Sequence, residues 1–231
     1  MLRPDLGPAI FRKPPTAAGV TAFIAAQRDR PLTYAADVSA DPDAEPPRGY
    51  VVDEHRVCVG NGREAFLAAR EMLLRWEQMP AAWMQIEVAP RPPRVGELVV
   101  TRARYAGLWW LNACRVVDVR DDGVETVNGR EHRYEVAYGT LPGHVESGIE
   151  TFAAVLEPDG RAWYEIRAVS RPQFWLAKFA RRLSRRLQRR FAEDSLQQVA
   201  ALVRERTTVP VRNLAGRAEA QVAAVGIKAT A

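Results

Sequence analysis

The sequence predicts an α+β fold in which a curved antiparallel sheet of about six to seven strands grips a long C-terminal helix. Three observations predict it. Strand-like segments recur at short, regular spacing from residue 49 to residue 169, with turn residues between them. One amphipathic helix interrupts them early, where Phe66, Ala69, Leu73 and Trp76 fall three and four apart. A second apolar stripe, Ala180, Leu183, Leu187, Phe191, Val199 and Leu202, marks a closing helix over about 173–206.

Taken in order, residues 1–45 read as an N-terminal arm that Pro14-Pro15 interrupts and in which residues 17–28 suit a short helix. A proline-rich polar connector follows, from Asp41 to Pro47. Residues 49–59 read as a strand, and Gly60-Asn61-Gly62 turns the chain into the first amphipathic helix, which Met79-Pro80 stops. Strands are predicted over 83–88, 96–105, 108–119, 133–138, 149–156 and 161–169. Asp121-Asp122-Gly123 and Pro158-Asp159-Gly160 supply turns between them. The main domain spans 46–206, and 207–231 reads as a loosely ordered tail behind Pro210.

Composition sets the class. Hydrophobic residues make up 47% of the chain, enough for a packed core. No stretch nears the roughly 20 apolar residues of a spanning helix, and the N-terminus lacks a basic segment followed by an apolar one, so a cytoplasmic protein is expected. Cys58 and Cys114, each in an apolar run, read as small buried hydrophobes. His55, His132 and His144 are too scattered for a metal site, and Gly60-Asn61-Gly62-Arg63-Glu64 lacks the lysine and third glycine of a phosphate loop. Neither a metal nor a cofactor is expected. A Gly-x-Ser-x-Gly elbow is absent too.

Three ordered motifs carry a resemblance. The first is Gly107-Leu108 with Leu111-Asn112-Ala113-Cys114-Arg115-Val116-Val117. The second is Tyr138-Gly139-Thr140-Leu141-Pro142-Gly143-His144, followed by Glu146, Gly148, Glu150 and Phe152. The third is Ser170-Arg171-Pro172, then Arg186 to Phe191 and Asp194-Ser195. Together they resemble uncharacterised protein family 0548 over about residues 30–203. That family is similar to the helix-grip ligand-binding superfamily, which includes lipid-transfer and polyketide-cyclase domains. The resemblance implies a cavity between sheet and long helix; it brings no established activity.

Several residues are candidates for chemistry. Gly139 and Gly143 flank a tight loop that presents Thr140 and His144, and Glu150 follows within six residues. An imidazole beside a carboxylate suits cofactor-free acid–base catalysis, so His144 and Glu150 are the catalytic candidates. The competing reading has His144 capping the loop through backbone hydrogen bonds. On a strand, Trp109 and Trp110 point to opposite faces, and Asn112 shares a face with Trp110. Trp109 or Trp110, Asn112, Tyr138, Thr140 and Arg171 are therefore candidates to line a pocket for a small apolar or amphipathic ligand. Arg171 equally suits an ion pair with Glu150 or Glu165.

The charge is uneven. The net charge is +5, and seven cations fall between Lys178 and Arg190. Arg181, Arg185 and Arg189 form one row along the helix; Arg182, Arg186 and Arg190 form the next. This basic patch is read as a solvated flank. The alternative is docking on an acidic partner or a membrane surface, with nucleic acid the least favoured for want of a recognition motif.

Overall fold

The computed structural model describes residues 9–41, 43–89, 91–122, 131–172 and 181–208, with backbone alone for 181–184. The predicted start of the closing helix, with Phe174, Trp175 and Lys178, lies outside the described residues, as do Gly123 and the tail beyond 208.

Among the described residues eight strands form one antiparallel sheet. They are β1 (Ala9–Phe11), β2 (Val51–Asn61), β3 (Met84–Val88), β4 (Leu98–Tyr105), β5 (Leu108–Asp121), β6 (His132–Thr140), β7 (Glu146–Leu156) and β8 (Arg161–Pro172). The described helices are α1 (Ala17–Gln27), α2 (Gly62–Leu74) and α3 (Arg181–Thr208). The sheet runs β2-β8-β7-β6-β5-β4-β3, and β1 pairs with β5 beyond the end of β6. Strand β1 escapes the sequence because three residues cannot display alternation. Irregular registers at Cys58/Gly60, Ile86/Val88 and Val116/Asp118 bend the ladders. The result is the predicted helix-grip arrangement, with α2 and α3 against one face.

That inner face carries the main core. Tyr134, Val136, Phe152, Ala154, Tyr164 and Ile166 alternate inward along β6, β7 and β8. They meet Phe66, Met72 and Leu73 of α2 and Ala192, Val199 and Val203 of α3. Buried Ser195 of α3 bonds the Tyr164 hydroxyl at 2.8 Å. The Gln198 amide donates to the carbonyls of Glu77 and Met79, which ties α3 to the end of α2.

Helix α2 stops five residues before the predicted Met79. Trp76 adopts a left-handed backbone, with φ 61°. The Trp76 amide donates to the Leu73 carbonyl and the Glu77 amide to that of Met72. These two bonds close the helix as a Schellman cap, which usually recruits glycine. The strain is balanced by burial: Trp76 is 1% exposed and stacks on Tyr138, ring centroids 6.2 Å apart. The apolar period persists past the helix because the core still claims that side chain.

The arm covers the other face. Val20 and Phe23 of α1 pack on Val100, Leu111 and Ala113. Val38 and Tyr50 pack on Ala137, Ile149 and Val169. Arg115 donates to the carbonyls of Gln27, Arg28 and Arg30 and so clamps the end of α1 to β5. One cysteine differs from expectation: Cys114 is buried but Cys58 is exposed, because the pleat of β2 turns Val57 and Val59 inward and Cys58 out.

Candidate functional site

Between the inner face and α3 lies a cavity of about 120 Å³. Its apolar walls are Met79 and Trp83 from the α2–β3 connection, Met84 of β3, and Leu187 and Phe191 from α3. Trp110, Asn112 and Cys114 of β5 enter it from one side, Tyr138 and Thr140 of β6 and Glu150 of β7 from its floor. The alternation along β5 thus puts Trp110 and Asn112 in the cavity. Trp109 stands on the opposite face, flanked by Arg102 and Arg104, whose guanidinium carbons lie 5.7 Å from its ring centre.

The polar centre of the floor is a pair of side chains on adjacent strands. The β6–β7 register sets Tyr138 opposite Glu150. The Tyr138 hydroxyl donates to Glu150 Oε2 at 2.5 Å. Trp76 stacks on one side of the Tyr138 ring and Phe152 meets it edge-on at 5.4 Å, so the phenol is held by packing. Burial raises the Glu150 carboxyl from its usual range to about 7, against the lowering effect of the Tyr138 bond. The phenol itself is pushed well up, first by burial and then by the carboxylate beside it. Among the described residues no cation pairs with Glu150, and no arginine or lysine lines the cavity.

His144 also lines the cavity. Its Nδ1 lies 3.1 Å from both the amide nitrogen and the carbonyl oxygen of Glu146, so that backbone engages Nδ1 in either tautomer. Burial lowers its pKa to about 4, leaving a neutral imidazole at pH 7. The loop-capping arrangement therefore holds for Nδ1, and Nε2 is the ring's remaining polar atom. Glu150 is hydrogen-bonded to Tyr138 and not to His144.

Thr140 is used structurally. Its Oγ1 accepts from the Gly148 amide at 2.9 Å and lies 2.6 Å from Thr33 Oγ1 of the arm. Gly139 is required beside it, because a Cβ there would fall 2.3 Å from the Tyr34 hydroxyl. Asn112 is half-buried in the cavity wall, and no hydrogen bond to a described residue holds its amide. Arg171 is exposed and stacks over Tyr50 at 4.7 Å; it pairs with neither Glu150 nor Glu165. Glu165 is taken by Arg133 at 2.9 Å.

The basic helix is partly neutralised. Arg185 pairs with Asp53 at 2.5 Å and Arg190 with Asp194 at 3.3 Å, while Arg186 and Arg189 are exposed. The side chains of Arg181 and Arg182 lie outside the described residues. Arg190 also lies over Trp83 and Tyr105, at 5.5 and 5.7 Å from the ring centres. No described helix is long and apolar enough to cross a membrane. Among the described residues no cluster of three or more His, Cys, Asp or Glu could hold a metal.

Sequence reasoning missed Trp83, Met79 and Phe191 as cavity walls. Periodicity marks such residues only as buried, and cavity and core share that signature. It also missed the pairing of Tyr138 with Glu150, which depends on register across a hairpin.

A family model described as a domain of unknown function (DUF1990) matches residues 33–198. A UPF0548 protein of Deinococcus radiodurans is 32% identical over 78% of this chain and 91% of its own. Another, of Dictyostelium discoideum, is 30% identical over 66% of this chain and 72% of its own. Among solved structures, the crystal structure of Ara h 8.0201 aligns with 66% of this chain and 99% of its own, at 11% identity and a TM-score of 0.41. A likeness that distant carries no argument about ligand or activity.

Proposed function

The chain belongs to the DUF1990 family of unknown function, and from that premise we propose that it binds a small, largely apolar or amphipathic molecule between its sheet and α3. The observation that carries this reading is the Tyr138–Glu150 pair on the floor of a largely apolar cavity. Such pockets combine apolar walls with a few convergent polar groups. Here Glu150, Tyr138 and Asn112 form the polar end, and Nε2 of His144 supplies a further hydrogen-bonding atom. Where the bound molecule reacts, Glu150 is the proton carrier. A carboxyl that titrates near neutrality gives or takes a proton without a cofactor. His144, held neutral, offers the same cavity its Nε2 as a hydrogen-bonding atom. A cytoplasmic setting belongs to the same reading, in keeping with two free thiols. The alternative of docking through the basic helix is weakened by the pairing of Arg185 and Arg190 with acidic residues.

Native mass spectrometry of the protein purified from its own host tests the proposal. A stoichiometric small molecule is expected, lost in Asn112→Ala and Tyr138→Phe. An empty protein carrying nucleic acid or phospholipid in its place overturns the reading.

A further inference from the structure

The cavity holds its negative charge in an unusual setting. Among the described residues two carboxyl groups line it, those of Glu146 and Glu150, and Glu146 has an engagement of its own. Glu150 has a phenol as its hydrogen-bond partner and, among the described residues, no cation. A buried carboxylate without a counter-charge is costly and normally acquires an arginine, a lysine or a metal. The ionisable groups that couple to it from the neighbouring strands are Cys114 on β5, Tyr138 on β6 and Tyr164 on β8, each of which can only become negative. His144, from the β6–β7 loop, is neutral, and among described residues α3 offers the cavity Leu187, Gln188 and Phe191.

The walls fit the missing charge. Trp83, Tyr105, Trp110, Tyr138 and Phe191 surround the space with aromatic rings, whose faces attract cations. Two of these rings already draw one, since Arg190 lies over Trp83 and Tyr105 while bonded to Asp194 outside. Asn112 adds an amide oxygen without a described partner, a second acceptor on the wall opposite Thr101. The volume, about 120 Å³, is close to the roughly 150 Å³ that accommodates a benzene ring.

We propose that the cavity is a site for a small primary ammonium ion on an apolar or aryl body, its nitrogen between Glu150 and Asn112 and its body against Met79, Met84, Leu187 and Phe191. This rests on the cavity-binding reading above and names the ligand class for it. The ammonium supplies the counter-charge that no described residue provides. Its three N–H donors suit two carboxylate oxygens and an amide oxygen. An anionic ligand would set like charges together on the floor, and a neutral one would leave the ionised carboxyl uncompensated.

Three probes of one shape decide it: benzylamine, benzyl alcohol and benzoate, titrated into the full chain at pH 8 and followed by ligand-observed NMR and melting shift. Benzylamine is expected to bind at least tenfold more tightly than benzyl alcohol, with benzoate weakest. In Glu150→Gln the benzylamine affinity should fall tenfold or more while that of benzyl alcohol holds. Benzyl alcohol or benzoate binding as well as the amine overturns the ammonium assignment and leaves the cavity reading standing. Failure of all three probes to bind overturns both. Because the comparison among probes is made on the unaltered protein, it decides the matter even if the variant misfolds.

Discussion

On the outer face of the sheet, Arg133 reaches Glu131, Glu135 and Glu165, Arg56 reaches Glu157 and Glu165, and Arg167 reaches Glu54. On the inner face, a strand's width away, Glu150 has Tyr138 and, among the described residues, no cation. Both faces are built from the same adjacent strands, β6, β7, β8 and β2, read on alternate residues. Outside, the carboxylates are half-buried or exposed and each has an arginine within reach, so the cost of ionisation is offset on the spot. Inside, the same charge is far more expensive, and no described residue balances it. The contrast separates charges that serve the scaffold from one that awaits a partner.

The contrast is broken most thoroughly at Gly148, which belongs to the cavity wall on β7. A Cβ there would lie 2.0 Å from the Val169 carbonyl of β8, backbone that cannot give way. Gly148→Val should cost about 3 kcal/mol or prevent folding, read from the urea midpoint. Both faces would then be lost together.

A sharper separation comes from Glu150→Gln measured against pH. Glu150 ionises at about 7 when folded, against a carboxylate's usual value of about 4.3 when unfolded. Its contribution is therefore full below the unfolded value and is lost as pH rises through 7. The stability of the variant relative to the native protein should rise by about 3 kcal/mol between pH 4.5 and 8. His144 acts in the opposite sense. Its folded pKa of about 4 means that stability is lost as pH falls from about 6.5 toward 4. In the native protein the two slopes offset each other between pH 4.5 and 6.5, and the variant exposes the histidine's. A relative stability that stays flat with pH would mean that Glu150 is solvated like the carboxylates outside.

Tyr138→Phe tests how much of that charge the phenol supports. The loss should be about 1–2 kcal/mol at pH 8, where the carboxylate loses its donor, and small at pH 5, where the carboxyl is neutral. Equal losses at both pH values would assign Tyr138 to packing alone. At the bottom of the scale, Arg186→Ser on the exposed flank of α3 should change thermal stability by under about 0.5 kcal/mol. It should also leave benzylamine affinity unchanged. A loss of ligand there would move the recognition site to the helix surface.

Much of this arrangement is legible in the chain. Alternation along β5 alone assigns Trp109 and Trp110 to opposite faces, and Pro158-Asp159-Gly160 marks its hairpin without help from tertiary structure: the Gly160 amide bonds the Glu157 carbonyl at 2.9 Å. What escapes the sequence is whatever depends on contacts between distant residues. The end of α2 is invisible because Trp76 keeps its buried place after the backbone has turned left-handed. His144 and Glu150 sit close in sequence and invite a pairing. The backbone of Glu146 takes the imidazole, and strand register gives Glu150 to Tyr138. Arg171 lies near two glutamates on paper, but its guanidinium rests on Tyr50, 121 positions earlier (171 less 50).

Thr140 has a consequence of its own. One hydroxyl lines the cavity, receives the Gly148 amide and touches Thr33, whose own amide donates to the Thr140 carbonyl at 3.0 Å. Ser147 adds a bond to the Thr33 carbonyl. An occupant that shifts Thr140 must loosen the arm, and an occupant that settles it must fasten the arm. Amide exchange at Thr33, on the far side of the sheet, thereby becomes a gauge of how full the chamber is.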